Sequence, residues 1–305
     1  MEVIEIDKSI GFGEVFKSVM KSLLLYFVYI LIFPLALIGL PIEFIRLGLD
    51  GSNRHIIEGS AIFSLLVGLM SSAKVGLFIF ILISFVSLSV VNLYKGGLSL
   101  KAVMYGSFFG LILFTGLSVL IYQYTSGTYI LDELRTYYKS MVDNMLALAK
   151  LSDPSLVKLF NDSMNFMVEN IYGLLGGIFY IGIGVNIFFG LNKKEDIRFY
   201  NFKADPKFTT VLLVALALSI ILSYSLGRAY DLVYTNLMSF ISLVFFTHLM
   251  TLILYLTRNM GLGWKMLAFF FGLMVIEIFP ALLIVGIIDS YVDFRKRNNY
   301  GKNKA

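Results

Sequence analysis

The stretch "VGLFIFILISFVSLSVV", residues 75–91, decides the fold, because it carries no charge and its only polar side chains are serines. A run of roughly 20 apolar residues is long enough to cross the ~30 Å hydrocarbon core of a bilayer as an α-helix. A strand of a membrane β-barrel would instead alternate apolar and polar residues over about ten positions. Residues 75–91 therefore predict a membrane-spanning helix.

Comparable apolar stretches recur along the chain. They cover 22–46, 56–72, 75–94, 100–124, 170–191, 209–226, 233–257 and 264–290. The 305 residues are 58% hydrophobic and 15% charged, with a mean hydropathy of +0.83, whereas a soluble domain has about 25% charged residues. We therefore predict an all-α, polytopic transmembrane helical bundle. The absence of cysteine excludes disulfides and thiolate metal sites.

Prolines and basic residues predict how these stretches cross the membrane. Pro34 and Pro41 interrupt the first stretch and Pro280 interrupts the last, and internal prolines break or kink helices. If both stretches are broken hairpins that return to their starting side, 19 of the 25 lysines and arginines lie on the cytoplasmic side, whereas eight single spans would place only 14 there. The positive-inside rule favours the first arrangement. We expect about six full spans plus two proline-broken hairpins, with a cytoplasmic C-terminus.

The polar segments predict how the chain is organised. Residues 125–169 have Leu, Met, Val and Phe at steps of three and four residues, which indicates an amphipathic helical loop outside the membrane. Asp153-Pro154 marks a break or the start of a second helix there. The predicted regions are an interfacial segment 1–21, a membrane half 22–124, an external loop 125–169, a second membrane half 170–292 and a basic cytoplasmic tail 293–305.

The end of the last stretch, "GIIDSYVDFRK" at 286–296, carries a recognisable pattern. Its defining residues are Gly286, Asp289, Asp293, Phe294, Arg295 and Lys296. This pattern resembles the end of the YybS-like bacterial membrane proteins, an uncharacterised family. Read from the residues alone, the segment is an ion-paired helix end whose carboxylates face the membrane interface, followed by a basic orientation signal.

The resemblance to the YybS-like family extends, more loosely, over nearly the whole chain. It includes "PIEFIRLGLDG" at 41–51, the acidic loop beginning "DELRTYYKSMV" at 132, and "GVNIFFGLNKK" at 184–194. It implies a bacterial inner (cytoplasmic) membrane location, no established activity, and an N-terminal half similar to the substrate-binding S subunits of energy-coupling-factor vitamin transporters. An S subunit would need separate ATPase and transmembrane partners, because this chain has no nucleotide-binding motif.

Polar groups within apolar stretches are the candidate ligand-binding residues, since a charge at membrane depth is costly. They are Glu277, Glu43, Arg46, Asn186 and His248. Each also has a simpler interpretation: a carboxyl that satisfies the backbone freed by Pro280, an interfacial ion pair of Glu43 with Arg46, a helix-bridging asparagine, and a hydrogen-bonded packing histidine. His248 has no second ligand nearby that would make a metal site.

Motifs for other chemistry are missing from the sequence. It has no GxxxxGKS or GxxxxGKT loop, no GxSxG and no HExxH, so we predict no catalytic residue, no metal and no cofactor. The net charge of +5 lies in short loops and does not indicate nucleic-acid binding. Besides the lipid bilayer, the expected partners are other membrane proteins or ATPase subunits, and the ligand is unknown.

Two functions from different classes fit these features. The first is small-molecule binding or a transport-associated role, with the polar site where the broken hairpins meet the bundle. The second is a membrane scaffold or assembly partner without a small ligand, acting through 125–169 or the basic loop 192–208. Loss of binding in Glu277→Ala would favour the first function, and loss of phenotype on changing a loop would favour the second.

Overall fold

The computed structural model of the chain describes residues 10–31, 39–148, 154–192, 202–226, 228–261, 263–264, 266–268, 270, 283–292 and 294. The regular structure in these ranges is helical, with no strand among them. The helices are α1 (Phe12–Leu31), α2 (Pro41–Asp50), α3 (Asn53–Met70), α4 (Ala73–Lys95), α5 (Leu100–Ser126), α6 (Ile130–Leu148), α7 (Pro154–Glu169), α8 (Ile171–Leu191), α9 (Pro206–Leu226), α10 (Arg228–Leu256) and α11 (Leu283–Val292).

Five helices in the described ranges are long and apolar enough to cross a membrane: α4, α5, α8, α9 and α10. They correspond to five of the six predicted spans, and the all-α polytopic fold is confirmed. The sixth predicted span, 56–72, forms most of α3. This helix is less apolar than the five because its first two turns carry Arg54, His55 and Glu58.

The first apolar stretch is not one continuous helix. Within 22–46, α1 is described as far as Leu31, and α2 begins at Pro41. Proline is favoured in the first turn of a helix, where its missing N–H costs nothing. The ten residues of α2 span about 15 Å, too short to cross the bilayer. Pro34 and Pro280 lie outside the described residues, so whether either hairpin is re-entrant stays a prediction.

The chain divides into two compact units. Unit 1 comprises 1–112 and 179–199, and unit 2 comprises 113–178 and 200–305. In unit 1 the buried side chains of α2 pack against α3 and α4. Aromatic rings form the centre of this core: the centroid of Phe63 lies 5.9 Å from that of Phe44 and 6.2 Å from that of Tyr26.

Helices α3 and α4 approach each other closely at two glycines. A Cβ at Gly76 would lie 2.6 Å from the carbonyl oxygen of Ser64 and 2.9 Å from the Cα of Gly68. A Cβ at Gly68 would lie 3.6 Å from the Cα of Gly76, which is an ordinary van der Waals distance. The crossing therefore requires a glycine at position 76 and tolerates a methyl group at position 68.

The substitution Gly76→Ala is expected to lower the free energy of unfolding by about 1–3 kcal/mol, because the added methyl group meets backbone atoms that cannot move aside. Gly68→Ala, in the same crossing, is the matched control and should stay near the wild type. Thermal unfolding of the detergent-solubilised protein compares the two. Equal midpoints for both variants would show that the helices do not cross in this way.

In unit 2 an asparagine joins α8 to α10. The side chain of Asn236 accepts a hydrogen bond from the backbone N–H of Gly173 at 2.8 Å and donates one to the carbonyl of Glu169 at 2.6 Å. A Cβ at Gly177 would collide with the side chain of Leu243. The glycines of α8 therefore let the two helices approach, and the asparagine satisfies backbone groups between them.

The predicted amphipathic loop forms α6 and α7, which pack together in unit 2. The predicted second helix start at Pro154 is confirmed. The carboxylate of Glu133 fixes the turn from α5 to α6: Thr128 donates to its Oε1 and Tyr122 to its Oε2, both at 2.6 Å. The hydrogen bonds from Thr128 and from Tyr122 hold the pKa of Glu133 below its ordinary value of 4.5.

The α5–α6 turn is expected to loosen in acid. Because the folded-state pKa of Glu133 is depressed, its stabilisation is present above the unfolded-state pKa and is lost as the pH falls through the lower folded value. Hydrogen-exchange protection at 126–133, corrected for intrinsic rates, should therefore be constant near neutrality and fall below about pH 4.5. Glu133→Gln should abolish this pH dependence. A wild-type turn that stays equally protected in acid would contradict the assignment.

Candidate functional site

A charged cluster joins α1 to α2 in unit 1. Glu43 Oε1 accepts from Arg46 Nη1 at 2.6 Å, and Glu43 Oε2 accepts from Lys21 Nζ at 3.2 Å. The Glu43 side chain is 11% exposed, whereas those of Arg46 and Lys21 are 24% and 50% exposed. One nearly buried carboxylate therefore holds two cations, and the three groups together carry one net positive charge.

The sequence of α2 explains why the Glu43 side chain is nearly buried in the protein. After the proline start, Phe44, Ile45 and Leu47 are buried, which fixes the rotation of the helix. Glu43 and Arg46 are spaced i,i+3 and so lie on one face. The predicted ion pair is therefore present, and it also includes Lys21, which is 22 positions earlier in the chain.

Arg46 also ties α2 to α8 within unit 1. Its Nη2 donates to the backbone carbonyl of Phe189 at 2.8 Å. The next residue, Gly190, packs on Ile45, where a Cβ would lie 2.8 Å from Cγ2. Arg46 Nε is buried and has no hydrogen-bond partner among the described residues. The guanidinium is thus held in one orientation, with its Nη1 on the carboxylate.

A cavity of about 320 Å³ opens beside this cluster, and we call it the charged cavity. Its lining residues are Ile10, Gly11, Glu14, Lys17, Ser18, Lys21, Glu43, Arg46, Leu47 and Asp50. They comprise three cations and three carboxylates. A cavity with balanced charges suits a polar ligand that presents both acceptors and donors.

The charged cavity lies at the polar end of unit 1. Just beyond α2, Lys95 Nζ donates to the carbonyl of Gly51 at 2.7 Å, and the side chain of Asn53 donates to that of Asn92 at 2.7 Å. Ser52 and His55 form a capping box at the start of α3. Charged and amide groups of this kind belong at the level of lipid headgroups.

Of the five predicted ligand-binding residues, the structure brings Glu43 and Arg46 together. Asn186, also in unit 1, is buried and donates to the carbonyl of Gly182 in its own helix at 2.7 Å. His248 belongs to unit 2 and is 1% exposed, with its ring 5.0 Å from that of Phe202. Glu277 lies outside the described residues. Two of the five therefore form an ion pair of defined geometry, and the role of the five residues in ligand binding stays a prediction.

The C-terminal pattern lies partly within the described residues. Gly286 packs on α10, where a Cβ would lie 2.7 Å from the carbonyl oxygen of Phe245. Asp289 is fully buried and accepts from the backbone N–H of Phe294 at 3.2 Å. The expectation that this carboxylate faces the interface is wrong, because it turns inward to hold the chain after α11. Asp293, Arg295 and Lys296 lie outside the described residues.

The contribution of α1 to the charged cavity is not among the features predicted from the sequence. The sequence predicts an interfacial segment that contains Glu14, Lys17 and Lys21, and in the structure these residues lie on a helix that continues to Leu31 and line the charged cavity. Their i,i+3 and i,i+4 spacing was a usable signal, because such residues share one helix face. Within the described ranges, no group of three His, Cys, Asp or Glu residues is placed to hold a metal ion.

Comparison with known proteins assigns the chain at the level of sequence family. The sequence model of a family described as "Predicted membrane protein (DUF2232)" matches residues 18–290. No curated protein and no solved structure is significantly similar to the chain. The matched range includes Lys21, Glu43 and Arg46 but leaves out Glu14 and Lys17.

Proposed function

The chain belongs to this family of membrane proteins, and we propose that it binds a small polar ligand in the charged cavity and takes part in the ligand's transport. Its several apolar helices make it an integral membrane protein. The finer proposal comes from the site, because fold alone is weak grounds for function.

The observation that carries the proposal is Glu43, an almost buried carboxylate with a cation on each oxygen beside a cavity. Taking the Glu43 carboxylate and much of the Arg46 side chain out of water is costly, and apolar side chains of similar volume are often at least as stabilising. A site retained for stability alone has no need of this arrangement. Ionisable groups held at the edge of a membrane core are therefore best explained by a ligand.

The short helix α2 supports a role in transport. Discontinuous helices beside polar cavities are the usual places where transporters bind substrate and coupling ions. Helix α2 begins at Pro41 and contributes three of the cavity's charged residues, Glu43, Arg46 and Asp50. The similarity of this half to vitamin-binding S subunits, which the YybS-like resemblance implies, would point in the same direction. On this proposal the ATPase belongs to a separate subunit.

Co-purification tests the proposal. The wild type and Glu43→Gln are extracted gently from their native membrane, and bound small molecules and proteins are identified by mass spectrometry. We expect a stoichiometric small molecule with the wild type and loss of it in the variant. Glu58→Gln is the control, because it makes the same change in the exposed ion pair with Arg54. Identical small-molecule content in wild type and Glu43→Gln would refute the site.

A second candidate function is a scaffold that acts through α6 and α7. This pair presents large side chains to its surroundings: Tyr137, Leu159 and Phe166 are each more than half exposed. Such a surface fits a protein partner. If a protein alone co-purifies, and Tyr137→Ser with Phe166→Ser releases it while Glu43→Gln does not, the scaffold function replaces the transport function.

The proposed orientation places the N-terminus, the C-terminus and the α4–α5 turn in the cytoplasm, with α6 and α7 outside. Helix α5 has 27 residues, about 40 Å, and should cross the bilayer completely. Because the chain lacks cysteine, Ser99→Cys and Ser140→Cys provide single thiols at its two sides. Only Ser140→Cys should react with an impermeant thiol reagent in intact cells. Reaction of both thiols would contradict the orientation.

A further inference from the structure

Helix α1 has three distinct faces. Val15, Val19, Ser22 and Tyr26 are buried in unit 1. Glu14, Lys17 and Lys21 line the charged cavity. The third face is apolar and exposed, with exposed fractions of 71% for Phe12, 48% for Phe16, 49% for Met20, 67% for Leu24 and 45% for Phe27. These five recur at steps of three or four residues and form one continuous stripe, which we call the α1 stripe.

The α1 stripe borders the charged cavity. At 100° per residue, Met20 and Leu24 neighbour Lys17 and Lys21 around the helix. Helix α1 therefore presents two lysines and one glutamate on one face and apolar side chains on the neighbouring face. The two faces together form a surface that suits an amphiphilic ligand. The polar face can bind the headgroup, and the apolar face can contact the acyl chains.

We propose that the ligand of the charged cavity is a phospholipid whose headgroup carries both a phosphate and a primary ammonium group. This inference rests on the proposed function and names the class of ligand. The cavity volume of about 320 Å³ is at the small end of the range for ligand pockets, roughly 300–1,000 Å³. On this proposal the charged cavity holds the headgroup, and the acyl chains lie outside the cavity along the α1 stripe.

The charges of the cavity favour a zwitterion over an anion. Glu43 is already neutralised by Lys21 and Arg46. Lys17, Lys21 and Glu14 line the cavity. Lys17 would bind the phosphate together with the Lys21 ammonium, which has three N–H groups and uses one of them on Glu43, and Glu14 would bind the ammonium of the ligand. A primary ammonium donates hydrogen bonds to a carboxylate, and charge-assisted bonds of this kind are strong. The quaternary ammonium of phosphatidylcholine has no N–H to donate, and the glycerol headgroup of phosphatidylglycerol has no positive charge, so both should bind more weakly.

Native mass spectrometry of the full chain tests the inference. The detergent-solubilised protein, washed free of native lipid, is given phosphatidylethanolamine, phosphatidylcholine or phosphatidylglycerol with identical acyl chains. We expect phosphatidylethanolamine to bind about tenfold more tightly than phosphatidylcholine, the ratio that ~1.4 kcal/mol produces. Glu14→Gln should remove this preference, whereas Glu58→Gln should keep it.

Soluble phosphoethanolamine separates a lipid from a free headgroup. A lipid ligand needs the α1 stripe, so the soluble headgroup should compete poorly, and the double substitution Phe16→Ser with Leu24→Ser should weaken lipid binding. Equal binding of the three lipids, or full displacement by phosphoethanolamine, would overturn the lipid assignment. If a non-lipid molecule still depends on Glu43, the proposed function survives that failure. If no ligand depends on Glu43, both proposals fall.

Discussion

The substitution Gly173→Ala is expected to destabilise unit 2 by about 3 kcal/mol, at the upper end of the cost of overpacking. An added Cβ would collide with the carbonyl oxygen of Asn236 and lie 2.7 Å from its carbonyl carbon. Backbone of a packed helix cannot rotate away as a side chain can. The collision is relieved only if helices α8 and α10 move apart.

Separation of these helices has a second cost. It stretches the hydrogen bond from Gly173 N–H to Asn236 Oδ1 and the one from Asn236 Nδ2 to the Glu169 carbonyl. Polar groups left without partners in an apolar setting are expensive. The two effects act in the same direction, which is why this glycine should be more sensitive than Gly76.

Gly116→Ala is the matched control for Gly173→Ala. Gly116 lies in α5, also in unit 2, and a Cβ there would meet no atom within 4 Å. Thermal unfolding of the detergent-solubilised variants should therefore give a lower midpoint for Gly173→Ala and a wild-type midpoint for Gly116→Ala. If both variants melt with the wild type, the contact between α8 and α10 is not as described.

The substitution Glu43→Gln should have the largest effect on function and a measurable one on stability. It leaves Arg46 and Lys21 close together without a negative charge between them. Removing one partner of a fully buried pair costs about 3–5 kcal/mol. We expect about 2 kcal/mol here, since Lys21 is half exposed and can turn to solvent.

A double substitution separates the charge effect from other consequences of the change at Glu43. Glu43→Gln combined with Arg46→Gln removes the cation that was left unpaired. The double variant should unfold at a higher midpoint temperature than the sum of the two single effects predicts, because the two residues interact directly. Strict additivity would mean that the ion pair contributes nothing. Ligand should be lost in the single and the double variant alike.

Local features of the fold were predictable because they depend on residues close in sequence. The uncharged run at 75–91 predicts α4, Pro41 marks the start of α2, and Pro154 marks the start of α7. The small-residue spacing of Gly173 and Gly177 indicates close helix packing, and both glycines contact α10. Hydropathy and helix-start signals act over a few residues, so one sequence contains them.

The site was only half predictable because its contacts join distant parts of the chain. The spacing of Glu43 and Arg46 identifies their pair, but Lys21 comes from another helix and the carbonyl of Phe189 lies 143 positions away. Nor does the sequence say that Asp289 turns inward, since a carboxylate at a helix end is compatible with either direction. Rotation and packing of whole helices decide these contacts.

The occupancy of the charged cavity tests the central claim most directly. Ser18 lines the cavity, and in this cysteine-free chain Ser18→Cys supplies the only thiol. Its rate of modification by a thiol reagent is measured in native membranes and again after detergent washing, with Ser99→Cys as the exposed reference. We predict that Ser18→Cys is protected in native membranes and reacts about tenfold faster once ligand is removed, the factor expected if bound ligand leaves the cavity empty about one tenth of the time. An unchanged rate, with Ser99→Cys also unchanged, would contradict a ligand in this cavity.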